Sequence, residues 1–162
     1  MNSQYNNELT PEVLATMEQS SFTDEQLAGM DDEGRALVTE HGDFKCHHPV
    51  IAIYRLAVEG SLTRDGGILK TATTGIEIEI ASGKKLRVSQ TQDEVVYPDG
   101  STAKIISGAC QAGHFANGHS IALVGSRLSN GDEIISTPQK SVIKTIHKGL
   151  PVPDDFLTEE AV

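Results

Sequence analysis

Tryptophan is absent from this 162-residue chain, which carries only three tyrosines, four phenylalanines and two cysteines. Two thiols, Cys46 and Cys110, cannot make the disulfide framework of a small secreted scaffold, and both are expected to be reduced. No apolar run approaches the length that spans a bilayer, and the opening MNSQYNNELTPE lacks the basic start and apolar stretch of a signal peptide. The sequence therefore predicts a soluble protein made in the cytoplasm. A surface that tracks phosphates needs a basic stripe interleaved with aromatics. The nearest stretch, GKKLRV (Gly83 to Val88), has no aromatic residue and reads as a solvated hairpin end, so nucleic acid is not an expected partner. Catalytic signatures are missing as well: there is no Gly-x-Ser-x-Gly, no Walker loop and no His-Glu-x-x-His.

The net charge of −10 belongs to the ends. Residues 1–45 hold ten acids and two bases, the last ten residues hold four acids and no base, and the stretch between is close to neutral. Helical punctuation fills the first region. Thr10 is an N-cap ahead of Pro11, and Leu9, Val13, Leu14 and Met17 share one face. Thr23 with Gln26 resembles a capping box, and Asp31 can cap a last short helix carrying Leu37 and Val38. From Val50 the pattern turns to strand in VIAIY, IEIEI, AKII and SVIKTI. Turn dipeptides occur at Asp65-Gly66, Asp99-Gly100, Asn117-Gly118 and Asn130-Gly131, where glycine supplies the positive φ of a tight hairpin. The division predicted is an acidic helical extension over 1–45, a mainly β domain over 46–148 and an acidic, mobile tail over 149–162.

Within the β region, GSLTRDGGILKT (Gly60 to Thr71) is echoed by GSRLSNGDEIIST (Gly125 to Thr137). Leu62 set against Leu128 aligns Thr63 with Ser129, Ile68 with Ile134 and Thr71 with Thr137. Both copies run apolar strand, Gly-Ser, polar turn with glycine, apolar strand.

These residues resemble the PAAR-repeat proteins, the sharpened tips of type VI secretion systems, contractile phage tails and extracellular injection particles. RLAVEGSLTRDGG (Arg55 to Gly67) and SIALVGSRLSNGDEI (Ser120 to Ile134) are similar to the two copies of the family's motif, and FANGH (Phe115 to His119) to the hairpin before its second copy. YPDGSTAKIISGA (Tyr97 to Ala109) is similar to a segment of longer members. The resemblance spans roughly residues 50–140. It implies a conical body whose turns, around Gly60, Asp65, Gly66, Gly67, Asn117, Gly118, Gly125, Asn130 and Gly131, gather at or near the point. It also implies a non-enzymatic, membrane-puncturing role, one copy on each trimeric VgrG-like spike, with an effector or cargo as a further partner and transient contact with a target membrane. The repeat would let one asymmetric chain approximate a threefold platform. The Pro-Ala-Ala-Arg letters persist only as Ala57 and Ala122, and the family's metal positions, a histidine and a cysteine, hold Asp65 and Asn130. Since zinc prefers nitrogen and sulfur donors, the family's metal site does not carry over.

Other donors for a structural zinc or iron ion are Cys110 and His114, with His47 or His48 from KCHHP (Lys45 to Pro49). Neighbours on an extended chain point to opposite faces, so KCHHP cannot supply three ligands to one ion without an unusual turn and reads rather as an exposed junction between helices and body. Cys110 reads otherwise as a small buried apolar residue, the commoner role of a free cysteine. Two alternatives to a tip stay open: a small cysteine- or metal-dependent enzyme centred on Cys110 and His114, and a free-standing β module that binds a ligand.

Overall fold

A computed structural model describes residues 4–18, 24–109 and 118–159. The described residues are mainly β, in short antiparallel pairings with fewer helices. The chain divides into two units. One comprises residues 8–18, 24–53 and 145–151, the other residues 4–7, 54–109, 118–144 and 152–159.

In the first unit, α1 spans Pro11–Glu18, with the Thr10 hydroxyl accepting from the Val13 N–H at 3.2 Å, the N-cap that the sequence announces. A short α2 follows at Asp24–Ala28. The Asp31 carboxylate accepts from the Gly34 N–H at 2.8 Å and opens α3, Asp32–His47. This helix is sixteen residues long and continues through Cys46 and His47, so the extended junction expected for KCHHP is corrected: helical hydrogen bonding propagates past the expected end because no proline intervenes before Pro49. Thr23 of the expected capping box lies outside the described residues. Strand β1 (Val50–Arg55), whose first four residues belong to this unit, pairs with β8 (Ile143–His147), whose last three do.

The second unit is built on a repeat that is threefold. At its centre Ala57 donates its N–H to Ala122 O (2.9 Å), Ala122 to Ser89 O (3.0 Å) and Ser89 to Ala57 O (2.9 Å), closing a ring of three segments. A second set of bonds repeats the cycle: Glu59 N to Arg87 O, Thr91 N to Ser120 O and Val124 N to Arg55 O. After each ring segment the chain bends at a residue with positive φ, Gly60 (96°), Gln92 (75°) or Gly125 (106°). The next side chain, Ser61, Asp93 or Ser126, accepts from the backbone N–H three residues before it, at 2.9 to 3.1 Å. A hairpin then leaves and returns. Its last residue, Leu69, Ile105 or Ile134, accepts from the N–H at the bend at 2.7 to 2.8 Å.

The echo in the sequence is therefore in a different register from the one expected. Gly60 and Ser61 match Gly125 and Ser126, which places Leu62 opposite Arg127 and Leu69 opposite Ile134. The positive-φ bend and the serine cap fix this alignment, and hydrophobic similarity alone misplaces it by one residue. A further copy, Val88 to Ile105, lies between the two that the sequence displays. Its hairpin, β5 (Glu94–Val96) with β6 (Thr102–Lys104), is two residues longer in each arm, so its closing pair is Tyr97 and Ser101.

Neighbouring hairpins pair in turn. Ile68 exchanges two backbone bonds with Val96. Ile106 and Lys104 bond to Arg127 and Ser129. Strand β2 (Leu62–Thr63) pairs with β7 (Ile134–Ser136). Six arms thus close on themselves, which leaves no unpaired edge within the belt. Inside lie equivalent layers: Leu69, Ile105 and Ile134, then Thr63, Val95 and Leu128, all buried. Before the middle copy, β3 (Glu77–Glu79) and β4 (Lys85–Arg87) form the hairpin foreseen in IEIEI and GKKLRV, with exposed glutamates and lysines and a buried Leu86.

Both chain ends contribute to this unit. Tyr5 and Thr137 exchange backbone bonds at 2.8 and 3.0 Å, and the Asn7 side chain spans Val124 O and the Arg55 N–H. The buried Arg55 guanidinium donates to Asn6 O and Lys140 O and lies 5.8 Å from the Tyr5 ring centre. The acidic tail, expected to be mobile, docks through Leu157 N to Gly108 O at 2.8 Å and through Phe156 edge-on to Tyr54. Half-burying an aromatic ring and satisfying a backbone carbonyl offset the entropy of ordering the segment.

The bends carry a testable asymmetry. Gly125→Ala forces a side chain into a left-handed conformation and is expected to cost about 1–2 kcal/mol. Gln92 already bears that strain, so Gln92→Gly is expected to raise stability by up to about 1 kcal/mol. Urea unfolding of both variants checks the pair. Opposite signs are expected, and a destabilised Gln92→Gly would contradict the strain.

Candidate functional site, the convergence of three hairpins

All three hairpins reverse through a glycine at nearly the same φ, Gly66 (91°), Gly100 (87°) and Gly131 (85°). Just below these turns sits Asp132, fully buried and, among the described residues, without a cationic partner. Its carboxylate instead collects donors from each hairpin. Tyr97 of the middle hairpin donates its hydroxyl at 2.6 Å. The Asp65 N–H of the first hairpin donates at 3.2 Å, and the Thr63 hydroxyl of that hairpin adds a side-chain bond. The Glu133 N–H of the third donates at 2.7 Å. Asn130 completes the cluster, its amide donating to Tyr97 Oη at 3.0 Å while its oxygen accepts from the Asp132 N–H at 3.0 Å. A buried charge is tolerated only when its lone pairs are filled in this way.

Burial alone would push the Asp132 carboxyl up. The hydrogen bonds from Thr63, Tyr97, Glu133 and Asp65 outweigh it and hold the group below the ordinary carboxylate range. Burial, then the bond to Asp132, pushes the Tyr97 phenol up. Because the folded value for Asp132 lies below the unfolded one, its contribution is complete above the usual carboxyl value of about 4 and fades as pH falls through the folded value. Thermal melting against pH is expected to drop more steeply on acidification in the native chain than in Asp132→Asn. Parallel curves would remove this carboxylate from the acid response.

The residues singled out from sequence do not all meet in one place. Gly60 and Gly125 make ring bends, and Asp65, Gly66, Gly67, Asn130 and Gly131 meet at the hairpin ends. Gly67 is pressed against Val95, Thr63 and Tyr97, with no room for a Cβ. Gly118 has φ 86°, whereas Asn117, Cys110 and His114 lie outside the described residues. His47 and His48 belong to the helical unit, where His47 is exposed and the His48 ring lies 2.9 Å from Lys148 O. Sequence reasoning missed Asp132, Tyr97 and Thr63. The only signal for Asp132 was its place directly after Asn130-Gly131, which reads as ordinary turn polarity.

The donor set at this end does not suit zinc or iron. The Asp65 side chain is exposed and lies 3.6 Å from Arg64, while both ends of the Asn130 amide are engaged within the protein. Among the described residues no three histidine, cysteine or acidic side chains are grouped to hold a metal ion. Nor, among them, is any helix long and apolar enough to cross a membrane. Comparison of the chain with protein-family models, with curated proteins and with solved structures finds no match.

Proposed function

We propose that this protein is a non-enzymatic spike tip, a conical cap that sits one copy to a trimer on the spike of a contractile injection machine and sharpens it for piercing a membrane. The observation that carries this reading is the cyclic bonding of Ala57, Ser89 and Ala122, continued through three hairpins. A single chain that caps a trimer must offer three protomers nearly the same surface, and an internal threefold meets that demand where one asymmetric surface would satisfy one protomer and clash with two. The closed belt of short arms, with glycine at each reversal, suits a rigid point that resists unravelling under load. The acidic helical unit is the handle for an effector or cargo, and its charge favours a basic partner surface.

The test is co-purification with the trimeric spike protein of such a machine, with stoichiometry read by native mass spectrometry. One copy per three spike chains is expected. No association at micromolar concentration overturns the reading and brings the enzyme centred on Cys110 and His114 to the front.

A further inference from the structure

We infer that the hairpin end of this protein is closed by a metal-independent centre, the buried Asp132 carboxylate, which ties the three hairpins together with hydrogen bonds. This follows from what surrounds the group, and it stands whether or not the protein sits on a spike. Three separate loops that converge without a covalent link need a hub that binds all of them. A tetrahedral metal is one physical solution, since its ligands can come from any loop. A carboxylate is another, because its two oxygens offer about four lone pairs and accept from backbone and side-chain donors alike.

Asp132 is engaged in this second manner, with Tyr97 Oη at 2.6 Å, Glu133 N at 2.7 Å and Asp65 N at 3.2 Å, one donor from each hairpin. Neighbouring groups then fix the donors. Asn130 Nδ2 bonds Tyr97 Oη at 3.0 Å, and Thr63 Oγ1 accepts from the Gly67 N–H at 2.7 Å. Gly67 is kept bare by this arrangement: a Cβ there would meet Val95 Cγ1 at 2.5 Å and both Thr63 Oγ1 and Tyr97 Cε1 at 2.9 Å. The lengthened middle hairpin has a purpose in this light, since the extra residues in its arm place Tyr97 within reach of the hub. A carboxylate so engaged has no further demand for a cation, and both ends of the Asn130 amide are already bonded within the cluster.

The experiment uses the full chain, purified without chelator and without an affinity tag that binds metal. Thermal melting is followed with and without excess EDTA and with added zinc, for the native protein, Asp132→Asn and the milder Tyr97→Phe. The melting temperature of the native protein is expected to be the same in all three conditions. Asp132→Asn is expected to melt about 5–10 °C lower, and Tyr97→Phe, which keeps the ring and removes one donor, about 2–4 °C lower. Should Asp132→Asn fail to fold, Tyr97→Phe carries the same comparison. Two results overturn the inference: a native melting temperature that falls on chelation and is restored by zinc, or Asp132→Asn and Tyr97→Phe that both melt with the native protein.

Discussion

Ile105→Ala is expected to lower the free energy of unfolding by about 2–5 kcal/mol, the range for emptying a buried aliphatic site. Ile105 is fully buried and occupies one third of a layer shared with Leu69 and Ile134. The three residues hold the same station in three copies of one motif, each accepting the bend N–H of its own hairpin. Leu69→Ala and Ile134→Ala are therefore expected to cost comparable amounts, because each removes the same share of a single interior from equivalent surroundings. Ile135 is the internal control. It neighbours Ile134 in β7 but points outward at 43% exposure, and Ile135→Ala should stay within about 0.5 kcal/mol of the native protein. Denaturant unfolding of the four variants makes the comparison. An Ile105→Ala as mild as Ile135→Ala would mean that the interior layer is not packed as described.

Gly67→Ala is the second large effect, expected at about 1–3 kcal/mol or more. The added methyl would lie 2.5 Å from Val95 Cγ1, far inside van der Waals contact, and 2.9 Å from atoms of Thr63 and Tyr97. Val95 is fully buried in the belt and has no solvent to swing into. Relief must come from shifting the first hairpin, and that shift also disturbs the approach of Thr63 and Tyr97 to Asp132. Gly66, next to it, makes an informative contrast. Nothing lies within 4 Å of a Cβ there, but its φ is 91°. Gly66→Ala is thus expected to cost about 1–2 kcal/mol through backbone strain alone. The two can be told apart by combining each with Tyr97→Phe: the cost of Gly67→Ala should change in the shared background and that of Gly66→Ala should not. Equal additivity for both would mean that the shift at Gly67 does not reach the bond between the Tyr97 hydroxyl and Asp132.

Much of the local grammar was legible in the sequence. Thr10 with Pro11, and Asp31 ahead of its helix, marked the starts of α1 and α3 because a cap is a matter of three or four consecutive residues. Asp65-Gly66, Asp99-Gly100 and Asn130-Gly131 marked three reversals, since positive φ is a demand that few residue types meet. The repeat was visible where both copies spell Gly-Ser. It was invisible in the middle copy, where Gln92 and Asp93 do the same two jobs. Glutamine accepts the positive φ at some cost, and the aspartate oxygen replaces the serine hydroxyl as acceptor for the Gln90 N–H at 3.0 Å. At these two positions no letter is shared, yet the backbone geometry is the same.

What the sequence by itself determined was whatever depends on neighbours along the chain: helix starts, hairpin turns, the acidic ends, and the lack of a bilayer-length apolar run. The tertiary structure decided the rest. Closure of the ring through Ala57, Ser89 and Ala122 runs through backbone groups that every residue but proline possesses, so composition does not encode which segment meets which. The role of Asp132 was likewise decided at a distance, because Tyr97 and Asp65 reach it from 35 and 67 positions away. In the chain it is one more polar residue after a turn. Only when three hairpins converge and exclude water does its charge need the donors that bind them together.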